Sequence, residues 1–180
     1  MTKNKEIMAP EEIVKYFKDE FKTKIKDSRI EKRTTGINKT PFVNIWLKVD
    51  KSIFKRSIKH LMNIQFPHLA VVSGNDLDKI IELIYHFSLY FGKRNAEIYL
   101  NIAVELPKSN PTIETISDLI PGAVITEREK QEMLGVIIKG IPDNRRVFIS
   151  DDFPKGVYPW RKDETGPEKM VRNLHEVMKK

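Results

Sequence analysis

Two apolar runs lie back to back between Ile80 and Leu106, and the second alternates so regularly that only a strand accommodates it. Ile98, Leu100, Ile102, Val104 and Leu106 fall on one side, with Glu97, Asn101 and Glu105 on the other, and successive strand residues point to opposite faces. The first run is ambiguous by itself. Ile81, Leu83, Tyr85, Phe87, Leu89 and Phe91 would line one strand face, whereas Ile80, Ile84, Phe87 and Phe91 would form a helical stripe. Gly92-Lys93-Arg94-Asn95 between the runs has turn chemistry, so the two read as a hairpin. A strand with this much apolar surface needs such a partner.

The hairpin demands a covered face, and the upstream sequence offers the cover. Residues 11–24 predict a helix in which Ile13, Phe17 and Phe21 recur every four residues, with Pro10 just ahead. A charged stretch, 22–40, holds a short exposed strand around Asp27–Thr35. Phe42–Asp50 alternates Val43, Ile45, Leu47 and Val49 against Asn44, Trp46 and Lys48, the pattern of a half-buried strand. Ser52 is placed to cap the next helix, whose stripe is Ile53, Phe54, Ser57, Ile58, Leu61 and Met62, and Pro67 stops it. His68–Ser73 reads as a short strand ending at Gly74-Asn75. Beyond Pro107 the expectations are a short helix over Thr112–Ile120, broken by Pro121-Gly122, and a second opened by the capping-box spacing of Thr126-Glu127-Arg128-Glu129 and running to Leu134. From Gly135 to Asp163 the chain is loop-like. Thr165-Gly166-Pro167-Glu168 starts a last helix with Met170, Val171, Leu174, Val177 and Met178 on one face.

Composition narrows the chemistry. With 40% hydrophobic residues spread evenly over 180, the chain can bury a core and is not a disordered tract. It contains no Cys, which excludes a thiol nucleophile, a disulfide framework and any Cys-ligated zinc or iron–sulfur centre in this chain. No apolar run approaches the ~20 residues that span a bilayer, and the start lacks the apolar region of a signal peptide, so the chain is expected to be cytosolic or to sit on the cytosolic side of something larger. The +7 net charge is uneven: residues 1–60 hold 16 Lys and Arg against 8 Asp and Glu, and the remainder is nearly balanced. That excess supports two alternatives, a nucleic-acid-binding protein or an ordinary solvated, heat-adapted surface, and its interleaving with acids favours the second.

Catalytic patterns are scarce. His60, His68, His86 and His175 are scattered without the i, i+3 or i+4 partners of a metal site, His60 falling late in a helix and His86 on the less apolar face of a strand. No phosphate-cradling glycine loop and no Gly-x-Ser-x-Gly element is present. Asp151-Asp152 and Asp163-Glu164 are carboxylate pairs that could do acid/base or metal work, and a small hydrolase using Asp151 and Asp152 with a divalent metal is one reading. Adjacent loop carboxylates more often cap backbone or pair with arginines, and Arg145-Arg146 and Arg161-Lys162 lie close in sequence. A mutually paired Arg/Asp network would hold a long irregular segment against a neighbouring surface.

One stretch carries a resemblance. Glu127-Arg128-Glu129-Lys130-Gln131-Glu132-Met133-Leu134-Gly135 resembles the signature of the 30 kDa subunit family of respiratory complex I: Glu-Arg-Glu, two variable residues, an acid, two apolar residues and glycine. It continues through Gly140-Ile141-Pro142-Asp143-Asn144-Arg145-Arg146, Asp151-Asp152-Phe153 and Pro159-Trp160-Arg161-Lys162-Asp163. Upstream, Ile84-Tyr85-His86-Phe87 and the segment from Pro111 to Gly122 fall in family order, so roughly residues 40–163 are covered. Ile141 stands where the family usually has histidine, and the chain is short, so it is more similar to the branch in archaeal membrane-bound hydrogenases and sulfane sulfur reductases.

The resemblance implies an α+β fold: a mixed, largely antiparallel sheet with flanking helices, then a long irregular C-terminal docking arm and a short terminal helix. The divisions expected are a body over 1–110, the signature and arm over 111–163, and the helix over 164–180. It further implies a non-catalytic scaffold subunit of a peripheral arm on the cytoplasmic face of the membrane, binding no cofactor itself. Its partners would be a hydrogenase-like large subunit, a small iron–sulfur subunit and a ferredoxin-like subunit, with the membrane arm reached indirectly and no nucleic acid. Iron–sulfur clusters, and in a hydrogenase a nickel–iron centre, would sit in those partners. The expected interface residues are Glu127, Arg128, Glu129, Arg145, Arg146, Asp151, Asp152, Arg161 and Asp163.

Overall fold

The computed structural model describes residues 7–170 apart from Asn38 and Arg94. Helix α1 (Pro10–Phe21) takes in the proline expected just ahead of it and buries Ile13, Val14, Phe17 and Phe21; the expected last turn, Lys22–Lys24, is a 3-10 helix. Strands β1 (Ile25–Thr35) and β2 (Thr40–Val49) form an antiparallel pair. The cap before the next helix is Asp50 and not Ser52. The Asp50 carboxylate accepts the Ser52 N–H at 2.9 Å and the Ser52 hydroxyl at 2.6 Å, so the serine is a donor inside a 3-10 turn. Helix α2 (Phe54–Ile64) then buries Phe54, Ser57, Ile58, Leu61 and Ile64.

Strands β3 (His68–Leu77), β4 (Ile80–Leu89) and β5 (Ile98–Pro107) complete a five-stranded sheet in the order β1-β2-β5-β4-β3. Every neighbour is antiparallel except β2 and β5, which run parallel. The 80–106 hairpin is therefore the centre of the sheet, and the strand reading of Ile80–Leu89 holds; Phe91 lies beyond it, exposed and stacked on His68 at 4.6 Å. The expectation that β3 stops at Gly74-Asn75 does not hold. The strand pairs on to Leu77, and the reversal is a tight turn at Asp78-Lys79, with Asp78 in the left-handed region at φ 54°. Gly74 serves packing: a Cβ there would lie 2.5 Å from Leu134 Cδ1 and 3.3 Å from Leu83 Cδ2.

Two further expectations change. Thr112–Ile120 is not a helix: Thr112–Glu114 is strand β6, paired in parallel with β7 (Ile137–Lys139). The hydroxyls explain it, since Thr112 bonds Asn110 and Thr115 bonds Ser117 and Glu127, local bonds that compete with helical ones. Helix α3 (Ala123–Leu134) begins three residues before Thr126. The Thr126 hydroxyl turns back to the Ala123 carbonyl at 3.2 Å and caps nothing, and Gly135, at φ 66°, closes the far end. Of the terminal helix, Pro167–Met170 is a 3-10 turn, while Val171, Leu174, Val177, Met178 and His175 lie outside the described residues.

The three α-helices share one face of the sheet. Phe54 of α2 packs on Tyr85 at 4.7 Å, and His60 of α2 stacks on Tyr16 of α1 at 3.8 Å. The core does not end with the sheet: Ile113, Ile116, Ile120, Leu134, Val136 and Ile138 join the same cluster. The opposite face carries a polar ladder in which Ser73 Oγ meets His86 Nε2 at 2.7 Å and His86 Nδ1 meets Asn101 Oδ1 at 2.6 Å.

Gly74→Ala should destabilise the protein by about 1–3 kcal/mol, because the buried side chains of Leu134 and Leu83 would have to shift to admit the methyl group. Gly122→Ala is the control: nothing lies within 4 Å and φ is −62°, so a change of under about 1 kcal/mol is expected. Denaturant midpoints of both variants check this.

Candidate docking arm

Helix α3 buries charge. Glu127, Arg128, Lys130 and Glu132 are all buried along it, and each has a different partner direction. Glu127, fully buried, points toward the sheet, where it accepts the Tyr85 hydroxyl at 3.2 Å, the Ile116 N–H at 3.0 Å and the Thr115 hydroxyl. Burial pushes its carboxyl above the usual range despite these donors, and pushes the Tyr85 phenol well up.

On its other sides α3 organises the irregular run that follows β7. Arg128 donates from Nε to the Arg145 carbonyl at 2.7 Å and from Nη2 to the Arg146 carbonyl at 3.1 Å, and pairs with Asp143 at 3.0 Å. Glu132 accepts three consecutive amides, Val147, Phe148 at 2.9 Å and Ile149 at 3.3 Å. Gln131 receives the Ile138 N–H at 3.1 Å and reaches Asn144 at 2.7 Å. A loop without ladders satisfies its backbone through side chains, and here one helix supplies them.

The end of the run is fastened a second way. Arg161 donates to the Leu134 carbonyl at 2.6 Å, lies 5.7 Å from the Tyr158 ring and reaches Asp163 at 3.4 Å. The Trp160 N–H bonds the Met133 carbonyl, and the Lys130 ammonium, paired with Glu129, sits 4.4 Å from the Trp160 ring centroid. Gly135 is required here, since a Cβ would fall 2.5 Å from Tyr158 Cζ. From the sheet, Asp76 receives the Lys162 N–H at 2.8 Å, and Lys108 bridges Asp76 and Asp163.

The residues predicted as an interface thus divide. Glu127, Arg128 and Arg161 are buried, and Glu129 and Asp163 are spent on Lys130 and Lys108. Arg145, chelated on Asp143, keeps a side chain 86% exposed; Asp151 and Asp152 are exposed, and Arg146 is half-buried, held on the carbonyls of Ser150 and Phe153. Sequence reasoning missed Glu132, Lys130, Asp143, Lys108, Asp76 and Tyr85. Local signals existed for Asp143, a carboxylate two residues before an arginine, and for Glu132, the acid of the signature. Among the described residues, no three His, Asp or Glu side chains gather as a metal site.

Part of the positive charge of the first third is taken up in ion pairs. Lys24 meets Asp50, Lys32 meets Glu11, Arg29 and Arg33 meet Glu31, Lys55 meets Asp118 and Arg56 meets Glu20. Phe17 and Phe21 are core residues and not stacking platforms for bases.

The carboxylates of the fastening titrate low. Asp163 is held well below the usual range by Lys108 and then Thr165, and Asp143 likewise by Arg145 and then Arg128. Burial alone would raise Asp76, but Lys108 and the Lys162 amide together bring it below its ordinary value. Folded values below unfolded ones mean stability that is fully present above the unfolded pKa of about 4 and is lost as pH falls through the folded values. Hydrogen exchange of the Trp160 and Lys162 amides should therefore accelerate below about pH 4 before exchange in β4 and β5 does.

A profile of the family described as respiratory-chain NADH dehydrogenase, 30 Kd subunit, matches residues 47–170. Membrane-bound hydrogenase subunit beta of Pyrococcus furiosus is 34% identical over 138 residues, which cover 76% of this chain and 79% of that protein. A subunit of the F(420)H(2) dehydrogenase of Methanosarcina mazei is 33% identical over 136 residues, covering 73% and 83%. Among solved structures, a chain of the membrane-bound sulfane sulfur reductase, an archaeal respiratory membrane complex, superposes with a TM-score of 0.64 over 94% of this chain and 89% of that one. At 21% identity that likeness is one of fold.

Proposed function

The chain belongs to the respiratory-chain NADH dehydrogenase 30 kDa subunit family, and from that membership we propose that it is a non-catalytic structural subunit of a membrane-bound, complex I-like redox assembly. Its place is the peripheral arm on the cytoplasmic face, holding a hydrogenase-like large subunit and a small iron–sulfur subunit together, with a ferredoxin-like subunit nearby. The redox centres, iron–sulfur clusters and in a hydrogenase a nickel–iron centre, belong to those partners. Relatives named as subunits of a membrane-bound hydrogenase and of a dehydrogenase support the setting. No helix among the described residues is long and apolar enough to cross a membrane, in keeping with a peripheral position.

The observation that carries the reading is the construction of the arm. A run with almost no regular structure, 140–166, is held by buried charges of α3 at one end and by Arg161, Asp76 and Lys108 at the other. Such networks set geometry more reliably than they add stability. What the arm then presents outward is Arg145, Asp151, Asp152 and Phe148, beside the exposed Ile137 of β7, the mixture of arginine, aromatic and aliphatic groups that interfaces favour. Glu127, Arg128, Glu129, Arg161 and Asp163 act from inside, shaping that surface.

A tagged copy expressed in its own host and recovered from detergent-solubilised membranes tests this. The expected result is co-purification of a large subunit resembling hydrogenases and a small iron–sulfur subunit. Recovery of a lone monomer, or of nucleic acid alone, overturns it.

A further inference from the structure

We propose that the groove between the C-terminal end of α3 and the fastened run is a seat for an acidic, aliphatic segment of a neighbouring subunit. The inference rests on the subunit reading above and adds the chemistry of the partner at that site.

The groove encloses about 440 Å³. One wall is Arg128, Gln131, Val136 and Ile137, and the other is 144–146 and Ile149 with 155–158. Its cations outnumber its available carboxylates. Arg128, Arg145, Arg146 and Lys155 line it, whereas the one lining carboxylate, Glu132, is taken up by the amides of Val147, Phe148 and Ile149. Asp143 alone answers both Arg128 and Arg145. Lys155 is exposed and has no ion pair among the described residues. A concave surface with surplus positive charge attracts anionic groups and steers their approach.

The remaining lining decides which anion. Val136, Ile137, Ile149 and Val157 lie beside Tyr158, and Ile137 is 55% exposed at the rim. The donors do not converge as a phosphate cradle would require, because Arg128 is spent on Asp143 and two backbone carbonyls and Arg146 turns its Nη1 away to the carbonyls of Ser150 and Phe153. Isolated cations over an aliphatic floor suit carboxylates spaced along a peptide, with aliphatic side chains between them.

Zero-length coupling by a carbodiimide tests this on the intact complex. The reagent joins an amine to a carboxylate already in contact, the new amide forming as one carboxylate oxygen leaves on the urea. The expected product is a peptide in which Lys155 Nζ is linked to an Asp or Glu of another subunit, within a segment of net negative charge. Lys155→Glu, which breaks no internal pair, should leave the melting temperature of the chain unchanged and lower retention of that subunit about tenfold, with Lys155→Gln between. An intact complex in which Lys155 stays unlinked, or links only to its own chain, a second copy or a lipid headgroup, overturns the groove assignment and leaves the subunit reading standing. Failure to recover any complex removes both.

Discussion

The Glu127 carboxylate is the joint on which the rest depends. It is fully buried, and its three donors come from a central strand, from the turn after β6 and from the β6 region's threonine. A buried carboxylate left without donors costs several kcal/mol, so these elements hold one arrangement or none. Helix α3 is thereby set against the sheet at a defined rotation. That rotation aims Arg128 and Glu132 outward at the run that becomes the arm, and Lys130 toward Trp160.

The arm follows from backbone accounting more than from apolar burial. Its amides and carbonyls have few ladder partners, and a run left to water alone would sample many shapes. Glu132 and Arg128 answer those groups in opposite senses, the carboxylate taking N–H groups and the guanidinium giving to C=O groups. Arg161 does the same for the end of α3 by capping the Leu134 carbonyl, and Asp76 holds the returning chain from the sheet. A surface fixed this way can dock without ordering itself on contact, which spares the entropy that a flexible partner would lose.

How far the sequence reads correctly depends on whether the signal is periodic. The hairpin at 80–106, the β2 alternation and the stripes of α1 and α2 are legible because one face of each is apolar and the repeat shows it. The errors cluster where chemistry, not period, decides. Ser52 looks like a cap until Asp50, two residues earlier, outcompetes it as an acceptor. Gly74 looks like punctuation until Leu134, sixty residues on, occupies the space a side chain would need. Thr126 has the spacing of a cap, yet Pro121 and Gly122 let the helix start earlier.

By itself the sequence determined the fold class, the hairpin over 80–106, the absence of thiol chemistry and the family signature from Glu127 to Gly135, because periodicity, composition and contiguous motifs are local properties. Only the tertiary structure decided which charges face inward. Glu127, Arg128 and Arg161 are polar residues in a stretch that reads as surface, while Arg145 and Lys155, of similar type, stay at the rim. A charge is buried only where distant donors or acceptors meet it: Tyr85 reaches α3, and Asp76 and Lys108 reach the arm, across dozens of residues. No local pattern records that meeting, so the division between residues that build the arm and residues that show on it belongs to the fold.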